Sequence, residues 1–147
     1  MGDISKDIQS SFPSERIKAL VNLKYTANWL NKISDKIFSE FGISSQQYNI
    51  LRILRGAGEA ITVKTVKERM IEVSPNSTRL MDKLVEKGLI CRERCDNDKR
   101  NIFVEITQKG LDLVDSIKLD DPRIQLEVLT KNELVELNRI LDKVRVD

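Results

Sequence analysis

The chain contains no histidine. That absence removes the Ser-His-Asp triad, the imidazole general base and every zinc site with a His ligand. Cysteine is nearly as scarce: Cys91 and Cys95 are too few for a four-cysteine zinc site within one chain. No Gly-rich phosphate loop or paired-carboxylate signature takes their place, so no enzyme activity, metal or cofactor is expected. Aromatic residues make up 5% of the sequence, which leaves Leu, Ile and Val to supply the core. No apolar run approaches the roughly 18 residues of a membrane span, so no membrane partner is expected. The segment from Met1 to Asp7 lacks a basic stretch followed by an apolar one. A secretory signal is therefore not expected, and the cytoplasm is the expected location.

What remains is an ordinary globular composition in 147 residues, one domain by size, with 33% charged and 40% hydrophobic residues. Charge is unevenly spread. Residues 60–110 carry 11 basic and 8 acidic side chains, whereas residues 111–147 carry 6 and 9. A basic middle ahead of an acidic end suggests that the middle meets a polyanion.

Apolar spacing predicts a long helix over 14–41, with Leu20, Leu23, Ala27, Leu30, Ser34, Ile37 and Phe41 at three- and four-residue steps. Gly42 suits its left-handed end. Ser44 and Gln47 form a capping box for a second helix to about Arg55, and Gly56-Ala57-Gly58 ends it. Ala60-Ile61-Thr62 reads as a short extended piece, with Thr62 capping a third helix over 63–71. Ser74-Pro75 reads as the start of a fourth. Its apolar side is Leu80, Met81, Leu84 and Val85; its polar side is Asn76, Ser77, Arg79, Lys83 and Lys87.

Period two then takes over in 89–95 and 102–106, joined by the polar cluster Asp96-Asn97-Asp98-Lys99-Arg100. This predicts a two-stranded hairpin with a charged tip. Thr107 caps a fifth helix carrying Leu111, Val114 and Ile117, which Asp120-Asp121-Pro122 interrupts. Thr130 and Glu133 cap a last helix striped by Leu134, Leu137, Leu141 and Val144. The fold class that follows is mainly α with a small β-hairpin: a winged helix-turn-helix core over 44–107 flanked by helices over 14–41 and 108–146, all within one domain of 1–147.

A helix of this kind fits the major groove of B-DNA, with its first residues at the base edges and its positive dipole end toward phosphate. The candidate reading residues are Ser74, Asn76, Ser77, Thr78, Arg79 and Lys83, with Lys87 placed for a phosphate. The bland alternative is a solvated helix face. The charged hairpin immediately behind it, with Lys99 and Arg100, favours DNA. A winged helix that binds protein instead of DNA would show apolar residues on this face, and none are there.

The run Ser77-Thr78-Arg79-Leu80-Met81-Asp82-Lys83-Leu84-Val85-Glu86-Lys87-Gly88-Leu89-Ile90 resembles the recognition helix of the MarR family of bacterial transcriptional regulators. Asp98 through Gly110 is similar to that family's wing, and Leu129 through Leu134 to the start of its last helix. The resemblance spans about 15–145. It implies a homodimer built from the first and last helices, acting on a near-palindromic double-stranded DNA operator, usually as a repressor. By the same resemblance Arg100 enters the minor groove, Asp98 orients it or a neighbouring Arg, and Arg79 is the recognition-helix arginine. It also implies an effector, commonly small and phenolic or anionic, between the lobe and the stem. Tyr25, Trp29, Phe38 and Phe41 are the aromatics available there, with Arg16 or Lys24 for an anion; core or interface is their plainer role. Two features depart from the family. Ile71-Glu72-Val73 lacks a Gly, and Asp120-Asp121-Pro122 breaks a helix that the family keeps long. Cys91 and Cys95 lie about 13 Å apart on an extended strand, too far for a disulfide, and read as structural.

Overall fold

Five of the seven α-helices begin behind a Ser or Thr whose hydroxyl accepts an orphan backbone N–H of the first turn. The computed structural model describes residues 2–72, 74–94, 97, 100–118, 121–124 and 126–145. Its helices are α1 (Ile4–Asp7), α2 (Glu15–Glu40), α3 (Ser45–Ala57), α4 (Val63–Arg69), α5 (Ser77–Glu86), α6 (Gln108–Ser116) and α7 (Lys131–Val144). The strands are β1 (Ile61–Thr62), β2 (Ile90–Arg94) and β3 (Ile102–Ile106). Both expected capping boxes are formed, Ser44 with Gln47 and Thr130 with Glu133. Gly42 and Gly58 take the left-handed conformation that ends α2 and α3. Among the described residues no helix is long and apolar enough to cross a membrane.

The hairpin is part of a larger sheet than expected. β1 pairs with β3 antiparallel (Ile61 opposite Val104), and β2 pairs with the other edge (Ile90 opposite Ile106), giving the order β1-β3-β2. A two-residue strand has no period of its own, which is why Ile61-Thr62 reads only as an extended piece.

The core is centred on α3. Ile50, Leu51, Ile53 and Leu54 are all buried, and Ile37 and Phe38 of α2, Val66 of α4, Met81 and Leu84 of α5 and Val114 of α6 close around them. Ile90 and Val104 seal the sheet side.

Gly110, in the first turn of α6, lies hard against the end of α5. A Cβ there would stand 2.2 Å from the Leu89 carbonyl oxygen, so any side chain would force the backbone to shift. Thr107 completes the junction: its N–H donates to Leu89 O at 3.1 Å, and its hydroxyl donates to Gly88 O at 2.7 Å. The same hydroxyl accepts from Gly110 N at 3.1 Å.

The fifth long helix of the sequence reading, α6, stops earlier than Pro122 alone requires. It ends at Ser116 because Ile117 turns extended to enter the core, and 3-10 turns follow at Pro122–Ile124 and Leu126–Val128. Arg123 fastens the first of these turns. Its guanidinium donates to Glu40 at 2.7 and 3.4 Å, at the end of α2, and to Asp121 at 2.8 and 2.7 Å. These bonds hold the Asp121 carboxyl down to about 2 and the Glu40 carboxyl below its usual range.

The stem helices leave apolar side chains bare. Ile17, Leu20 and Leu23 of α2 and Val135, Leu137, Ile140 and Val144 of α7 are all exposed, and α7 has no buried residue among those described.

Candidate nucleic-acid interface

The reading helix, α5, buries one face and offers the other. Ser77, Met81 and Leu84 recur at helical spacing and turn inward, while Thr78, Arg79, Lys83 and Glu86 are exposed. Asn76 is exposed at the N-cap, and its side chain makes no capping bond.

The helix does not start at Pro75. Ser74 instead builds a turn: its hydroxyl accepts from Asn76 N at 3.2 Å, and its carbonyl accepts from Ser77 N at 3.2 Å and from Ser77 Oγ at 2.6 Å. Regular helix begins at Ser77, two residues later than the capping signal suggests. Ser77 itself corrects the sequence reading. It is 1% exposed, with its hydroxyl committed to Ser74 O and beside the Met70 sulfur at 3.5 Å, so it lies on the core side of the helix. The one-residue difference between Ser77 and Thr78 is a 100° rotation, enough to move a side chain from surface to core.

Lys87, expected near a phosphate, makes bonds within the chain. Its ammonium donates to the Gly42 carbonyl at the end of α2, and its own carbonyl accepts from Lys109 Nζ at 2.9 Å. It is exposed, and it ties the end of α2 to the turn after α5.

The wing follows directly. β2 and β3 run antiparallel until Arg94 faces Ile102, and Arg94, Asn97 and Arg100 are exposed near the tip. Asp98 and Lys99, expected beside Arg100, lie outside the described residues. Sequence reasoning missed the brace between reading helix and wing: Asp82 of α5 pairs with Arg92 of β2 at 2.6 Å. The signal was available, since Arg92 alternates in phase with buried Ile90, and a charge at such a position needs a partner. Cys91 is exposed on β2, its thiol donating to Glu105 O at 3.7 Å; Cys95 lies outside the described residues.

Beneath this surface a cleft of about 560 Å³ opens between the second half of α2, the start of α3 and the α4–α5 connection. Phe38 and Tyr48 stack in it with centroids 4.4 Å apart. Burial pushes the Tyr48 phenol above its ordinary value, against the opposing charge of Arg52 and Arg55. Of the aromatics expected to line a crevice, only Phe38 does so here. Tyr25 and Trp29 line a separate hollow of about 370 Å³ with Gly2, Ile4 and Asp7, and Phe41 packs on the core. Arg16 and Lys24 border neither.

This geometry agrees with the relatives. The family model for the transcriptional regulator SarA/Rot matches residues 32–117. The HTH-type transcriptional regulator MgrA of Staphylococcus aureus is 29% identical over 112 residues, covering 76% of each chain. Among solved structures, a MarR transcription factor from Planctomyces limnophilus is 33% identical with a TM-score of 0.68, over 90% of this chain and 98% of that one. A MarR variant from E. coli complexed with operator DNA is 27% identical with a TM-score of 0.69, over 99% and 100%. The chain belongs to the SarA/Rot family of transcriptional regulators, built on the winged helix-turn-helix frame of the MarR proteins.

Proposed function

We propose that the chain is a homodimeric, sequence-specific double-stranded DNA-binding repressor, released by a small effector bound in the cleft. The observation that carries the DNA reading is the outward face of α5, where Asn76, Thr78, Arg79 and Lys83 are exposed beside a wing that presents Arg94 and Arg100. Asn76 and Arg79 are the two types that make bidentate contacts with A and G. Lys83 lies one turn further along, at phosphate height. The likeness to an operator-bound MarR structure supports the same placement. The bare apolar faces of α2 and α7 support the dimer, since exposed patches of this kind mark interfaces. A two-fold pair would set two reading helices about 34–36 Å apart, one turn of DNA.

Fluorescence anisotropy over a salt series, with the chain's own upstream DNA and a scrambled duplex, tests this reading. A preference of about a thousandfold with a steep salt slope is expected. Arg79→Ala should cost about 1–3 kcal/mol and relax the base preference at one position in each half-site. Lys83→Ala should weaken every duplex alike and lower the salt slope by about 1. No salt-dependent binding to any duplex would abandon DNA for a protein partner.

A further inference from the structure

The cleft has a charge polarity along α3. At the helix start, two consecutive residues each hold one carboxylate: Ser45 Oγ donates to Asp35 of α2, and Gln46 Nε2 donates to Glu72 of the α4–α5 connection at 3.1 Å. Both donors are neutral. They position the carboxylates and leave both negative charges uncompensated, and no described Lys or Arg lies within ion-pair range of either. Elsewhere Glu40, Asp82, Asp115 and Asp121 each sit on an arginine. Among the described residues the one cation lining the cleft, Arg52, lies about two turns from Ser45, roughly 10 Å along the helix, and donates to Asn49 at 3.1 Å. Between these ends the floor is apolar, made by the Phe38–Tyr48 stack and Met70. Tyr48 is 9% exposed and lines the cleft; its hydroxyl makes no hydrogen bond among the described residues and is not enclosed, so it opens into the cleft. Ile71, at the rim, is 81% exposed, an apolar side chain with nothing over it.

We propose that the cleft takes a small organic monocation, an amine or quaternary ammonium on an apolar body of ring size. Its charge lies at the Asp35–Glu72 end, and its apolar body covers the aromatic floor and Ile71. Arg52 repels the charged end and so fixes the orientation, while the Tyr48 hydroxyl can donate to an acceptor at the ligand's far end. The volume suits a small ligand, and the apolar floor suits a ring-sized body. This ligand class rests on the cleft being the effector site and sharpens it. Ile71 and Glu72 lead directly into the Ser74 turn from which α5 begins, so a cation drawing Glu72 toward Asp35 would pull on the start of the reading helix.

Isothermal titration calorimetry of the DNA-free protein tests the proposal with benzylamine, tyramine and benzyltrimethylammonium, and with 4-hydroxyphenylacetate as the ring-matched anion of tyramine. At least one cation should bind saturably, and at least about tenfold more tightly than the anion. Asp35→Asn and Glu72→Gln should each weaken it about two- to fivefold. Arg52→Ala should strengthen it, an opposite sign that general damage to the fold would not produce. Preference for the anion, affinity indifferent to all three substitutions, or no saturable binding of any of the three cations would overturn the proposal. Repeating the DNA anisotropy with the bound cation separates the two readings. Unchanged DNA affinity would keep the ligand class and remove the effector role. A protein that ignored DNA altogether would fail the DNA reading and leave the calorimetry standing.

Discussion

The winged lobe and the stem of this chain are built to different standards of completeness. In the lobe, the apolar side chains of α3 are covered, and Ile50, Leu51, Val66, Met81 and Leu84 are at most 1% exposed. In the stem, α7 has an equally good capping box but no buried residue, and Leu20, Val135, Ile140 and Val144 face outward. Local signals alone therefore do not distinguish the two regions. Capping and periodicity make a helix; whether the helix is finished depends on what covers its apolar side. The lobe covers its own, and the stem waits for a second surface.

The sharpest way to test that contrast is to truncate both regions. Met81→Ala should cost about 2–5 kcal/mol in urea unfolding, because a fully enclosed side chain leaves a cavity. Ile140→Asp should act instead on association. The wild-type melting temperature should rise with protein concentration, as expected when a partner binds the folded state, and the variant's should not. Equal and concentration-independent losses at both sites would erase the distinction. Next in size is the junction between α5 and α6. Gly110→Ala should destabilise the lobe by about 1–3 kcal/mol, since its methyl meets the Leu89 carbonyl and the backbone must give way. The smallest effect belongs to the Arg123 clasp at the border of the two regions. The Asp121 carboxyl is depressed when folded, so its contribution is present above the ordinary carboxylate pKa of about 4 and fades as pH falls toward about 2. Melting temperatures of wild type and Arg123→Ala should therefore differ slightly near neutral pH and converge across that acid window.

Most of the architecture is legible from residues that act on neighbours within three or four positions. Ser44 with Gln47, Thr62, Thr107, and Thr130 with Glu133 all do what their spacing announces, because each bond closes within one helical turn. The contacts that local spacing does not announce are made at longer range. Lys87 is claimed by Gly42, 45 residues away, and Ile61 by a strand 43 residues on. Asp82 is claimed by Arg92 on another element. Ser77 is a local exception: it stands four residues before Met81 and seven before Leu84, the spacing of the buried face, and its hydroxyl bonds back to Ser74. Of the candidate interface, Asn76, Thr78, Arg79, Lys83 and Arg100 were placed on the surface by pattern alone, and the structure exposes them all. The cleft was not legible in this way, since its walls come from three separated segments.

The junction at Thr107 and Gly110 has a further consequence, for how such a regulator can diversify. It binds Gly88 and Leu89, just past the end of α5, through their backbone carbonyls, at the opposite end of the helix from Asn76, Thr78 and Arg79. Backbone carbonyls are indifferent to which side chains the helix carries. Lineages can therefore exchange the outward residues and acquire new target sites while the mounting of the helix stays as it is. Change in preference and change in foldedness are thus decoupled along a single ten-residue helix.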